Sequence, residues 1–174
     1  MIDRLLTPRI GFGTAALVCL GLILFALYLQ YGLREEPCPL CILQRVAVLA
    51  MMAVFAVAAV HNPGRFGTRC YAGVLVVVGA AGAAIAGRHV WLQNLPPERV
   101  PECGPGLEFM LEQFPLTQVL ALVLRGTGEC AERGWSFLGL TIPGWTLLFF
   151  IALVLFSLLV AWRARRAHAP EAGR

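Results

Sequence analysis

Four long apolar stretches, at about residues 13–31, 40–60, 70–89 and 143–162, limit what this chain can become more than any other feature. Each is close to the roughly 20 mostly apolar residues that a helix needs to cross a bilayer's hydrocarbon core. The composition agrees, with 59% hydrophobic residues, 14% charged and a mean hydropathy of +0.75, well beyond an ordinary soluble domain. The 174 residues leave too little outside these stretches for a second folded domain. The expectation is an all-α integral membrane protein, a four-transmembrane-helix bundle forming a single membrane domain over 1–174. The first stretch exceeds the roughly 7–15 residues of a signal-peptide core, and no A-x-A site follows it at Tyr31-Gly32-Leu33. It reads as a retained span.

Every one of the 14 basic residues is arginine, and their placement sets the expected orientation. Arg4 and Arg9 precede the first span, Arg65 and Arg69 fill the second loop, and Arg163, Arg165 and Arg166 follow the last span. These segments alternate with the other two loops, so the positive-inside rule puts them, and both termini, in the cytoplasm. On the opposite side Arg34, Arg99, Arg125 and Arg133 are outnumbered by glutamates at 35, 36, 98, 102, 108, 112, 129 and 132. The net charge of +4 reflects this asymmetry and gives no case for nucleic-acid binding. Tyr28, Tyr31, Trp91, Trp145 and Trp162 fall at span ends, as expected of rings anchored among the headgroups.

The external loops are expected at about 32–39 and 90–142, and the longer one is where external function should concentrate. Within it Leu116, Val119, Leu120, Val123 and Leu124 mark one face of a short helix. A short amphipathic helix lying on the membrane surface is expected there, with packing on the ends of the bundle as the alternative. In the third span the Gly/Ala run at 79–84 lets a neighbouring helix approach closely.

Cys19 falls within the first span and Cys70 beside cytoplasmic Arg69; both read as small apolar packing residues. Cys38, Cys41, Cys103 and Cys130 fall outside, two in each external loop, where disulfides can form. The run Cys38-Pro39-Leu40-Cys41 decides between staple and chemistry for the first pair. So small a ring restrains little of an unfolded chain, yet two thiols at this spacing make a redox couple. Pro37 and Pro39 favour an extended approach to a helix in whose first turn Cys41 sits. Arg45, four residues on, shares its face. A thiol at a helix N-terminus beside a cation is activated as a nucleophile or electron donor. An arginine one turn into an apolar span can snorkel to the headgroups, but with cysteine neighbours a functional role is preferred. His89, at the external end of the third span, can add a polar group to the same pocket. Spacing alone leaves Cys103 and Cys130 open to either role, because a disulfide between them could stabilise the loop by roughly 3–4 kcal/mol.

Taken together, the four spans, Cys38-Pro39-Leu40-Cys41 with Arg45, Cys103 and the run 128–133 around Cys130, followed by Trp135 and Phe137-Leu138-Gly139-Leu140, resemble the bacterial disulfide bond formation protein B family, DsbB, over nearly the whole chain. The resemblance implies an inner-membrane enzyme with its active cysteines on the periplasmic side. Such an enzyme reoxidises the periplasmic dithiol oxidase DsbA and passes the electrons to ubiquinone or menaquinone. It further implies that Cys103 forms the mixed disulfide with DsbA, that Cys130 is its loop partner, and that Cys38 exchanges with this pair. Cys41 then reacts with the quinone, Arg45 polarises a quinone carbonyl, and His89 assists. Gln44, directly before Arg45, does not compromise such a site.

Two other readings compete. A non-enzymatic tetraspan protein stapled by two disulfides accounts for the cysteine number but for neither the C-x-x-C spacing nor Arg45. A four-thiolate zinc site of Cys38, Cys41, Cys103 and Cys130 is disfavoured by the single C-x-x-C and the oxidising compartment, so no metal is expected. A paralogue serving a dedicated partner stays compatible with the sequence.

Overall fold

The computed structural model describes residues 7–34, 36–102, 104 and 106–166, the side chains of Pro8, Pro97, Arg165 and Arg166 excepted. Arg4, Glu35, Cys103 and Pro105 lie outside the described residues. The long helices are α1 (Pro8–Gly32), α2 (Pro39–His61), α3 (Arg65–Gln93) and α7 (Ile142–Arg166). Between the last two come a 3-10 turn (Pro97–Arg99), α4 (Leu107–Gln113), α5 (Leu116–Arg125), α6 (Gly128–Ala131) and the strands β1 (Ser136–Phe137) and β2 (Leu140–Thr141). All four long helices are apolar and long enough to cross a membrane.

Helix limits differ from hydropathy limits for a physical reason. Helix α3 starts at Arg65 and runs to Gln93, because apolarity marks where lipid begins while arginines remain good helix formers beyond it. Proline sets two starts, with Pro8 and Pro39 each at the first helical position, where the missing N–H has no partner to lose. Helix α2 ends at Asn62 in the left-handed region, φ 46°, a conformation asparagine tolerates better than most residues.

Side chains of Phe12, Met51, Phe55, Leu75, Phe150 and Val160 fill the centre of the bundle. Helices α1, α2, α3 and α7 pack in that order. The close approach of α7 to α3 depends on Gly79 and Gly82. A Cβ on Gly82 would run into the Phe150 ring, and one on Gly79 into Val154 and Met51. Cys19 is fully buried in this core, as its packing role requires, whereas Cys70 is exposed. Among neighbouring helices around the bundle, α1 and α7 touch least, so the bundle is parted along that side.

A second apolar cluster, Leu40, Leu92, Met110, Val119, Val123 and Cys130, seals one end of the bundle. The apolar face of α5 is divided. Val119 and Val123 point inward, while Leu116, Leu120 and Leu124 stay exposed. The helix therefore packs on the bundle end and still presents an apolar edge outward. Arg88, to which the sequence drew no attention, fixes its far end by donating to the oxygens of Leu124 (3.4 Å) and Arg125 (2.9 Å). The same guanidinium lies 4.2 Å from the Trp91 ring centroid, a cation–π contact.

Candidate redox site

Cys38 is the N-cap of α2, and its sulfur accepts the N–H of Cys41 at 3.4 Å. The helix start thus serves Cys38 directly, with Cys41 on the first turn as expected. The two sulfurs stand 3.0 Å apart, so closing to the roughly 2.05 Å of a disulfide is a small movement.

His89 joins them from α3, with Nε2 3.8 Å from the Cys38 sulfur. Its Nδ1 lies 3.0 Å from the side-chain nitrogen of Gln44, and both side chains are buried. Gln44 is therefore part of the site: it holds the imidazole from behind, leaving Nε2 facing the thiols.

Arg45 turns toward α1, donating to Gln30 Oε1 and, at 3.1 Å, to the main-chain oxygen of Ala26. It crosslinks α2 to α1 inside the bundle instead of reaching for the headgroups. Gln30 is a partner that the sequence reading missed, although a polar residue near the end of an otherwise apolar span was a signal. Cys41, Arg45 and His89 all line one cavity of about 220 Å³ between α1, α2, α3 and α7. Its α1 wall is apolar, including Leu22, Ile23, Phe25 and Leu29. The cavity lies on the parted side of the bundle.

Over that side sits the β1–β2 hairpin, whose turn residues Leu138 (φ 51°) and Gly139 (φ 79°) both take positive φ, as tight two-residue hairpins demand. Leucine is an unusual occupant of that position, which is why the hairpin escaped the sequence reading. Trp135 meets Phe25 of α1 edge-on at 6.5 Å and stacks on Phe137 at 5.9 Å, and Phe137 meets Trp145 of α7 at 6.3 Å. These rings strap α1 to α7.

Cys130 reaches the site from the long loop. It is buried in the cluster that includes Leu40 and against which Cys38 packs, and its sulfur lies 3.7 Å from the Thr127 hydroxyl. Hydrogen bonding toward the Cys38 side chain, followed by burial, pushes the Cys130 thiol well above the ordinary thiol range. Five hydrogen bonds hold the loop in place. Arg133 donates to the main-chain oxygen of Gln93 at 3.2 and 3.1 Å and to Asn94 Oδ1 at 2.9 Å. Gln93 Nε2 donates to the oxygen of Glu132 at 3.2 Å, and Gln93 Oε1 accepts from the Thr141 hydroxyl at 2.7 Å. Arg133 thereby satisfies a carbonyl at the C-terminus of α3, where a cation is favoured. The sequence reading passed over both Gln93 and Arg133.

The structure thus brings together Cys38, Cys41, Arg45, His89 and Cys130. Cys103 lies outside the described residues, but Glu102 accepts the N–H of Gly128 at 3.2 Å, and a Cβ on Gly104 would meet Thr127 at 2.8 Å. The residues on either side of Cys103 are therefore against the segment leading to Cys130.

A sequence profile described as "Disulfide bond formation protein DsbB" matches residues 8–160. The protein named Disulfide bond formation protein B from Nitrosococcus oceani is 56% identical over 153 residues, covering 88% of this chain and 90% of its own length. Those of the same name from Methylococcus capsulatus and Chromobacterium violaceum are 51% and 48% identical over 160 and 161 residues. Each alignment covers 92% of this chain, with 98% and 97% of the respective relative.

Proposed function

The chain belongs to the DsbB family of disulfide bond formation proteins, and from that membership we propose a dithiol:quinone oxidoreductase that reoxidises a DsbA-like periplasmic thiol oxidase. A membrane oxidoreductase that forms disulfides is the function of the family, and a non-enzymatic scaffold is not favoured. The finer assignment rests on one observation: Cys38 stands 3.0 Å from Cys41 and also packs against the cluster that buries Cys130, which supports it as the exchange point between an outer and an inner pair.

In the proposed relay Cys103–Cys130 and Cys38–Cys41 are the two disulfides of the oxidised enzyme. A thiolate of the reduced partner attacks Cys103, breaking its bond to Cys130 and freeing the Cys130 thiolate. That thiolate attacks Cys38, breaking Cys38–Cys41 and leaving the electron pair on Cys41. The partner's second thiolate then attacks the mixed disulfide, and the partner leaves oxidised. The freed Cys103 attacks Cys130, restoring the outer disulfide and releasing Cys38 as a thiol beside Cys41. Each step exchanges one S–S bond for another, so the two electrons of the partner end on Cys38 and Cys41.

The cavity suits a quinone ring: apolar side chains from α1 form one wall, while Cys41, Arg45 and His89 supply polar groups to the lining. Bound there, a quinone supplies a two-electron, two-proton acceptor that leaves a disulfide behind. Arg45, held by Gln30 and Ala26, keeps positive charge beside Cys41 and can donate to a carbonyl oxygen. His89 presents Nε2 to the thiols. The parted α1–α7 side gives access from the lipid.

The placement of arginines supports a bacterial inner-membrane location with both termini cytoplasmic, and the acidic loops that carry the four cysteines then face the periplasm. Ultraviolet measurement of quinone reduction by the purified protein with reduced DsbA tests the assignment; turnover supports it, and none with either quinone class removes it.

A further inference from the structure

Beyond the disulfide chemistry, we propose that the reduced form of this site binds one thiophilic cation of the zinc class through Cys38, Cys41 and His89. The ligand atoms of these three side chains all lie within 4.8 Å of one another. Two thiolates and one imidazole are a donor set that zinc and cadmium favour. This differs from the four-thiolate arrangement weighed on sequence, because it recruits a histidine from α3 and needs neither Cys103 nor Cys130.

The spacing is close to a tetrahedral site. With Zn–S of about 2.3 Å and Zn–N of about 2.0–2.1 Å, ligand atoms stand roughly 3.8 Å (S to S) and 3.5 Å (S to N) apart. His89 Nε2 is already 3.8 Å from the Cys38 sulfur. The two sulfurs, at 3.0 Å, need only a rotation of Cys41 to part. Both cysteines sit on the rigid start of α2, so the claw is preformed on one side.

Gln44 adds an independent feature. A ligating histidine usually has its other ring nitrogen held by a hydrogen bond, which fixes tautomer and orientation. The buried Gln44 carboxamide lies 3.0 Å from His89 Nδ1. By rotating its end group it presents its oxygen to Nδ1–H and leaves Nε2 as the ligand. Binding releases two thiol protons and involves no electron transfer. Two thiolates balance the charge of a divalent cation, so the complex is neutral, which suits a half-buried place at the edge of a bilayer. A fourth position is left toward the cavity. The bound sulfurs are withheld from oxidation, so such cations act on the reduced enzyme alone.

The test needs neither quinone nor partner protein, and its outcome is therefore separate from that of the proposed relay. The full chain in detergent, carrying Cys103→Ser and Cys130→Ser, is reduced anaerobically with a phosphine and titrated with Cd²⁺ at its ultraviolet thiolate-to-metal absorbance. The expected result is one Cd²⁺ per reduced chain, displaced by Zn²⁺, and none for the Cys38–Cys41 disulfide form. His89→Ala weakens binding at least 10-fold. Gln44→Leu, which keeps every ligand, weakens it by about 10-fold or more, with thermal unfolding confirming that each variant is folded. Affinity unchanged in both variants would reduce the site to an ordinary dithiol and overturn the proposal. So would the absence of stoichiometric binding to the reduced protein.

Discussion

Cys130 of the long loop is buried in the cluster against which Cys38, the cap of α2, packs. Hydrogen bonding toward the Cys38 side chain, followed by burial, holds Cys130 protonated well above the ordinary thiol range. Because the neutral form is favoured in the folded protein, the associated stability is present below the ordinary thiol pKa and is lost as pH rises beyond it. Alkylation of Cys130 in fully reduced protein, with chelator present, should be slow at pH 8 and accelerate only in more alkaline buffer. Cys38→Ala removes the leading cause and should raise the pH 8 rate several-fold; mass spectrometry of the Cys130 peptide reads it directly.

Arg133 and Gln93 latch the Cys130 loop onto α3. Arg133→Ala removes donors to two acceptors, a loss of about 1 kcal/mol at an exposed position. The expected outcome is a several-fold slower formation of the Cys38–Cys130 disulfide, measured by trapping in a Cys41→Ser background, with little change in thermal unfolding. An unchanged trapping rate would show that the loop is positioned by other contacts.

Gly126 ends α5 at φ 83°, and a Cβ there would run into Leu92. Gly126→Ala combines backbone strain with overpacking of the cluster that includes Cys130. It should destabilise by about 1–3 kcal/mol, seen as a lower thermal midpoint in detergent. A midpoint equal to that of the unaltered protein would contradict this reading of the turn.

On α5, labels at Leu116 and Leu120 should be quenched by lipid-borne quenchers, whereas labels at Val119 should not, because Val119 is packed on Leu92 and its neighbours. Equal protection of all three positions would mean that the helix only packs on the bundle.

Much of this architecture was legible because hydrophobic length is a strong signal in a chain that must satisfy a bilayer, and each of the four apolar stretches lies within a long helix. The Gly/Ala run at 79–84 forecast a close helix contact, and Gly82 against Phe150 realises it. The C-x-x-C spacing marked Cys38 and Cys41 as a pair, and Arg45, one turn further on, lines the same cavity as both while also crosslinking α2 to α1. Contacts that depend on tertiary geometry left little trace. Gln44 was read as merely tolerable, yet it orients His89 across two helices. Arg88, Gln93 and Arg133 act on backbone oxygens of distant segments, and such partners carry no sequence motif. The hairpin was hidden because Leu138 occupies a position usually filled by asparagine or glycine.

In the proposed relay electrons leave through Cys41 into an acceptor held beside Arg45. Quinone reduction should be followed at its ultraviolet absorbance with the purified protein, ubiquinone or menaquinone and reduced DsbA, alongside Cys41→Ser and Arg45→Ala. Turnover should disappear without Cys41 and require at least 10-fold more quinone without Arg45. Turnover that persists in Cys41→Ser, or a quinone requirement unaltered by Arg45→Ala, would contradict the relay.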